Sequence, residues 1–267
     1  MADTVKRITP NRLLAMKEAG TKITMMTAYD YPSAELLERA GIDLLLVGDS
    51  LGTVVQGRET TLSVTLDAMI YHTEMVARAV YRAMVVADLP FPYAQLGPEE
   101  ATRACARILK ETSAKAVKIE GGAKRADVIK AVTDAGIPVM GHCGLMPQSI
   151  RRLGGYKVQR DEAAMKEDIL AIQESGAFAV VLECVPHDIA GRLTRKLTIP
   201  TIGIGAGAEC DGQVLVFHDL LGFHLPEKTC PKHAHPYVQA GEIILDAVGR
   251  YADDVRNGKF PTDAESF

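Results

Sequence analysis

The sequence predicts an α/β fold, a single-domain TIM-type (β/α)8 barrel with extra N- and C-terminal helices, on three observations. Short apolar runs recur along the chain, with longer segments of helical periodicity between them. Eight such runs are present, the number a closed barrel needs. The runs are continuously apolar rather than alternating, as in parallel strands covered on both faces. An open doubly wound sheet is the alternative, because repeated β-then-α units do not by themselves dictate closure.

The expected strands are 23–28, 43–47, 83–87, 116–119, 138–141, 178–182, 201–204 and 213–217, each bounded by Gly, Pro or Asp. Helical segments are expected between most of them, at 33–40, 66–80, 99–111, 126–135 and 161–175. Their punctuation is proline near a start (Pro98) and glycine just past an end (Gly41, Gly136, Gly176). Two stretches break the rhythm: a Gly-rich segment at 144–160 after the fifth strand and a Pro/His-containing one at 222–236 after the eighth. Long loops at strand C-termini are where such barrels keep lids and ligand contacts. No low-complexity linker divides the chain, so 1–267 reads as one barrel domain. Its tail, 237–267, is expected to be helical and to pack on the barrel or on a neighbouring subunit.

Composition narrows the function. With 267 residues, 47% of them hydrophobic, the chain can bury a full core without a disulfide or metal staple, so a metal here would be catalytic rather than structural. The formal charge of -4 and the absence of Lys/Arg-rich runs exclude a nucleic-acid or anionic-membrane surface. Five scattered cysteines with no Cys-x-x-Cys pair fit reduced thiols and give no zinc cluster. No apolar run approaches the roughly 20 residues that span a bilayer. The opening residues 1–7 lack the apolar stretch of a secretion signal, so a cytoplasmic protein is expected.

Polar residues cap strand after strand. Asp49 and Ser50 follow the second, Asp88 the third, Glu120 the fourth, His142 the fifth and Glu183 the sixth. In a parallel barrel these ends converge on the face that houses active sites. One aspartate after a strand is commonly a helix cap. Three acids behind successive apolar runs are a different case, because crowded carboxylates are costly without a cation. Asp49, Asp88 and Glu120 therefore form a candidate site for a divalent metal, and an all-oxygen donor set suits Mg²⁺. Lys118 stands two residues before Glu120, so strand alternation turns both side chains to one face. There it either neutralises a substrate carboxylate or pairs with a neighbouring acid. Glu183, a fourth acid across the barrel, is the candidate general base. His142 either orients a substrate oxygen or is a satisfied core histidine. The run Gly203-Ile204-Gly205-Ala206-Gly207 lacks the helix start of a dinucleotide fingerprint and reads as a tight turn or a close approach to a ligand. His233 and His235 lack a third ligand and read as a solvated loop. Cys143 and Cys184 read as packing.

An ordered set of motifs carries a resemblance. It includes Thr27-Ala28-Tyr29-Asp30, Gly48-Asp49-Ser50, Ala87-Asp88-Leu89-Pro90, Lys118-Ile119-Glu120-Gly121-Gly122, Gly141-His142, the stretch 155–159, Leu182-Glu183-Cys184, 202–207 and 211–213. Across 24–219 the chain closely resembles the ketopantoate hydroxymethyltransferases. That resemblance implies a TIM-type barrel assembled as a homo-oligomer, commonly a decamer. It implies transfer of a hydroxymethyl group from methylenetetrahydrofolate, as cosubstrate, to α-ketoisovalerate. It implies a Mg²⁺ site of Asp49, Asp88 and Glu120, in part through water, and substrate contacts from Asp49, Ser50, Asp88, Lys118 and His142. Glu183 would be the base. Met146, Gln159-Arg160 and 223–235 depart from the family pattern in loops that border the folate entrance. A related Mg²⁺ barrel lyase would carry a reactive cysteine in a mobile loop, and 144–160 contains none. A non-catalytic ligand-binding barrel would have no need of the intact acid set.

Overall fold

In a computed structural model, which describes residues 6–153, 155, 159–225, 227 and 230–267, eight parallel strands form a closed barrel in sequence order. They are β1 (Ile23–Thr27), β2 (Leu44–Val47), β3 (Met84–Asp88), β4 (Ala116–Glu120), β5 (Val139–Gly144), β6 (Ala179–Glu183), β7 (Thr201–Ile204) and β8 (Gly212–Leu215). Closure is direct: β1 pairs with β8 from Ile23↔Gly212 to Met26↔Leu215, which removes the open sheet as an alternative.

The strands differ from the sequence-based expectation mainly at their ends. Asp88, Glu120 and Glu183 are the last residues of their strands rather than the first beyond them, and His142 lies inside β5. Ladder pairing continues through these polar positions, because a side chain turned into the barrel leaves the backbone free to bond its neighbours. The eighth strand stops at Leu215, and Phe217 opens a short helix instead of ending a strand.

The helices of the barrel unit are α1 (Pro10–Glu18), α2 (Tyr31–Arg39), α3 (Leu51–Val54), α4 (Leu66–Ala79), α5 (Pro98–Glu111), α6 (Ala126–Asp134), α7 (Ile150–Leu153), α8 (Glu162–Glu174) and α9 (His187–Lys196). Asp30, Thr65 and Asp161 cap α2, α4 and α8 by accepting backbone N–H bonds in the first turn. Connection 205–211, between β7 and β8, holds no helix. Leu13 and Met16 of α1 join the interior strand residues Met25, Leu44, Met84 and Met140 in one apolar cluster, so the barrel is a packed core.

The chain forms two compact units, the barrel to Leu215 and a second unit of Val216–Phe267. The second unit contains α10 (Phe217–Leu220) and α11 (Ala240–Arg256). On α11 the apolar side chains of Ile243, Leu245, Val248 and Tyr251 are exposed. Among the described residues no helix is long and apolar enough to cross a membrane.

Candidate active site

The barrel's own periodicity builds the site. Met84 and Val86, Ala116, Met140, and Ala179 and Val181 face the interior cluster. Two residues further along the same strands, alternation aims Asp88, Lys118, His142 and Glu183 inward as well, with Glu120 two beyond Lys118. The apolar layers thus give way to a polar layer at the C-terminal ends. Register brings the members together: Asp88 is level with Lys118, and Glu120 with His142. β2 ends at Val47, and Asp49 and Ser50 occupy the turn into α3.

Four groups form a row. Lys118 Nζ lies 2.9 Å from Asp88 Oδ1 and 3.3 Å from His142 Nδ1. An ammonium can only donate, so Nδ1 accepts and the ring proton resides on Nε2. That Nε2 is 3.2 Å from Glu183 Oε2, off hydrogen-bond alignment. With no substrate bound, Lys118 pairs with an acid, Asp88. His142 is buried, and its ring connects the lysine to the candidate base.

Sequence reasoning missed two members. Gln148 ties three parts of the site together: its Nε2 donates to Asp49 Oδ2 at 2.9 Å and to the Leu89 carbonyl at 3.0 Å, and its backbone N–H donates to Glu120 Oε2 at 3.1 Å. Its Oε1 is buried without a partner. The only signal for it was its place beside Pro147 in the long Gly-rich segment. Tyr29, buried beyond β1, shares a 2.7 Å hydrogen bond with Ser50 Oγ. The motif 155–159 lies largely outside the described residues.

Burial first, and then the charge of Asp88, pushes the Asp49 carboxyl up to about 7, against the opposing pull of Lys118 and Gln148. Burial and the charge of Asp49 push Glu120 up to about 8. Burial works against the Lys118 ammonium, but Asp88 foremost, with Asp49 and Glu120, outweighs it and raises the lysine above its usual range. A stability prediction follows for the metal-free chain. An acid whose folded pKa is raised holds its proton more tightly when folded, so its stabilising contribution is present below the unfolded pKa and lost as pH rises through the folded one. Thermal melting in a chelator should therefore fall between about pH 4 and about pH 8, the window set by these two carboxyls. A melting temperature flat or rising across the upper half of that window would contradict the crowding.

Among the described residues, no three His, Cys, Asp or Glu side chains stand close enough to hold one ion directly. The acids are occupied with protein partners: Asp88 with Lys118 and the Asp49 N–H, Asp49 and Glu120 with Gln148. The donor chemistry nevertheless suits a hard divalent cation: buried carboxylate oxygens with uncompensated repulsion, and a spare amide oxygen on Gln148. Next to the acids opens a cavity of about 380 Å³ lined by Phe91, Glu120, Lys124, Arg125, Met146 and Gln148 among others. On the far side, Glu183 is held by backbone packing. A Cβ on Gly144 would fall 2.3 Å from the Glu183 carbonyl oxygen, and Cys184 takes a left-handed φ of 50°. Burial pushes the Cys143 thiol up to about 12, which agrees with its reading as packing.

Comparisons with known proteins converge on one family. The family model for ketopantoate hydroxymethyltransferase matches residues 7–263. The 3-methyl-2-oxobutanoate hydroxymethyltransferase of Pelobacter propionicus is 54% identical over 270 residues, covering 100% of each chain. That of Trichlorobacter lovleyi is 53% identical, covering 98% of this chain and 99% of its own. Among solved structures, phosphonopyruvate hydrolase in complex with oxalate and Mg²⁺ aligns with a TM-score of 0.63 at 14% identity, over 96% of this chain and 90% of that one. 2,3-Dimethylmalate lyase, a member of the PEP mutase/isocitrate lyase superfamily, aligns with a TM-score of 0.61 at 17% identity, over 97% and 91%. At such identities these structures speak for the barrel alone. The full-length matches speak for more: the chain is a transferase enzyme and belongs to the ketopantoate hydroxymethyltransferase family.

Proposed function

We propose that this chain transfers a hydroxymethyl group from methylenetetrahydrofolate to α-ketoisovalerate, giving ketopantoate for pantothenate synthesis, with Mg²⁺ or another divalent cation. The observation that carries the reading is the row Asp88, Lys118, His142 and Glu183, which places a fixed positive charge and a carboxylate base on either side of one imidazole on the active face. Enolisation of an α-keto acid needs both.

Asp49, Asp88 and Glu120 would hold the cation, partly through water. When bound, the cation supplies Lewis-acid polarisation of the keto group. Lys118 faces the substrate carboxylate, and Ser50, oriented by Tyr29, offers its hydroxyl to a substrate oxygen. His142 holds Lys118 and Glu183 in register. Glu183 removes the proton from C3, and the C–H electron pair passes into the enolate. C3 then bonds to the methylene carbon of the folate, both of that carbon's bonds to nitrogen break, and water supplies the hydroxyl of the product, while the proton taken from C3 and one from water end on the two nitrogens of the released tetrahydrofolate. The partners are therefore small molecules, not nucleic acid or membrane. The same reading carries a cytoplasmic homo-oligomer, a decamer by resemblance, in which the exposed apolar face of α11 would be covered.

The test is exchange of the C3 hydrogen of α-ketoisovalerate in D₂O without folate. Exchange should appear with Mg²⁺ or Mn²⁺ and vanish in a chelator. Exchange that is absent with every divalent ion, or that is unaffected by the chelator, would sink the reading.

A further inference from the structure

We propose that Lys124 and Arg125 form the subsite for the carboxylate tail of the one-carbon donor, and so select tail-bearing folates over bare pterins. The inference rests on the function proposed above.

The cavity beside Glu120 is of ligand size at about 380 Å³, and it adjoins the acids instead of enclosing them. Its walls combine Phe91 and Met146, suited to a flat ring, with the two cations of one short turn, Ala123–Arg125. That turn is built to stay where it is. Gly121 has a φ of 126°, and a Cβ there would fall 2.6 Å from Arg125 Cγ, so the arginine stem lies directly over the glycine. A Cβ on Gly122 would fall 2.0 Å from Asp168 Cγ, and Asp168 Oδ1 accepts the Ala123 N–H at 2.8 Å. Asp168, which also lines the cavity, is thus fixed on the backbone of the turn, outside ion-pair distance of Lys124 and Arg125.

The two cations line the cavity without being spent on carboxylates. Arg103, Arg107 and Arg192 on the outer helices, by contrast, each pair with a carboxylate, at 2.6, 2.7 and 2.8 Å. Arg125 bonds only the carbonyl of Lys124, and among the described residues neither side chain has a carboxylate within ion-pair distance. Two cations without ion pairs on the wall of a cavity that also borders Glu120 of the acid cluster fit a ligand that is anionic in one part and reacts in another. A folate has that polarity: its glutamyl tail carries the carboxylates and its ring system carries the one-carbon unit. In the reading above the carboxylate of α-ketoisovalerate has Lys118, so it does not call on these two cations.

The experiment compares the wild-type enzyme with Lys124→Met and Arg125→Met, singly and together. Methionine keeps the aliphatic stem over Gly121 and removes the charge. The double variant should raise KM for methylenetetrahydrofolate by about tenfold to a hundredfold, as expected for lost charge-assisted hydrogen bonds, with kcat within about threefold. KM for a methylene-tetrahydropterin lacking the glutamyl tail should not change. Folate-free C3 exchange in D₂O reports separately on the fold and on the proposed chemistry. Normal exchange with an unchanged folate KM overturns the subsite, and so does a rise in KM for α-ketoisovalerate instead. Absent exchange in the wild-type enzyme strikes at the function and not at the subsite.

Discussion

Glu183→Gln lowers folate-free exchange of the C3 hydrogen of α-ketoisovalerate by about 10²–10⁴-fold, the usual contribution of a positioned general base, while the fold stays intact. The substitution is close to isosteric, so it removes the proton acceptor and little else. Glu183 is suited to the test because its side chain is 19% exposed, more than the other acids of the site, and among the described residues no lysine or arginine is paired with it. It faces His142 Nε2 at 3.2 Å, which carries the ring proton because Lys118 donates to Nδ1. A glutamine can keep that neighbour through its amide oxygen. His142→Gln should cost less than Glu183→Gln, because it loosens the base without removing it. Exchange by Glu183→Gln within about threefold of wild type would take the base role away from Glu183 and leave a water or another acid to be found.

How much of this was legible follows from where each residue sits. Asp88, Lys118, Glu120, His142 and Glu183 interrupt apolar runs, and an interruption at the end of a buried strand is visible in sequence because water-facing alternatives are few there. Alternation placed Lys118 and Glu120 on one face before any coordinates were needed. What spacing could not supply was pairing. Which acid Lys118 meets depends on the register between β3 and β4, and the answer, Asp88, is a tertiary fact. Gln148 was illegible for a related reason. It reaches Asp49 from 99 residues away, on an irregular segment with no periodicity to betray its direction. Helix α9 also went unassigned, since Ile189, Ala190 and Leu193 are a short apolar stripe among charged neighbours.

Lys118→Met should destabilise the protein by about 3–5 kcal/mol at about pH 8.5, the cost of removing one partner from a buried ion pair. The lysine is 8% exposed and, among the described residues, is the cation that acts on Asp49, Asp88 and Glu120 together, so its loss leaves three buried carboxyls repelling each other. The same deletion should cost less at about pH 6. Without the ammonium the folded-state carboxyls rise further above their unfolded values, and an acid raised in this way gives stability at low pH that is lost as pH climbs through its folded pKa. Protonation thus replaces the missing cation below about pH 7, and the defect opens as the medium becomes alkaline. A methionine stem fills nearly the same space, so a packing defect would instead be equal at the two pH values. Urea denaturation at both pH values separates the cases. A loss of less than about 1 kcal/mol at the higher pH, or an equal loss at both, would mean that Lys118 does not neutralise the acid cluster, and the charge assigned to the substrate carboxylate would need another source.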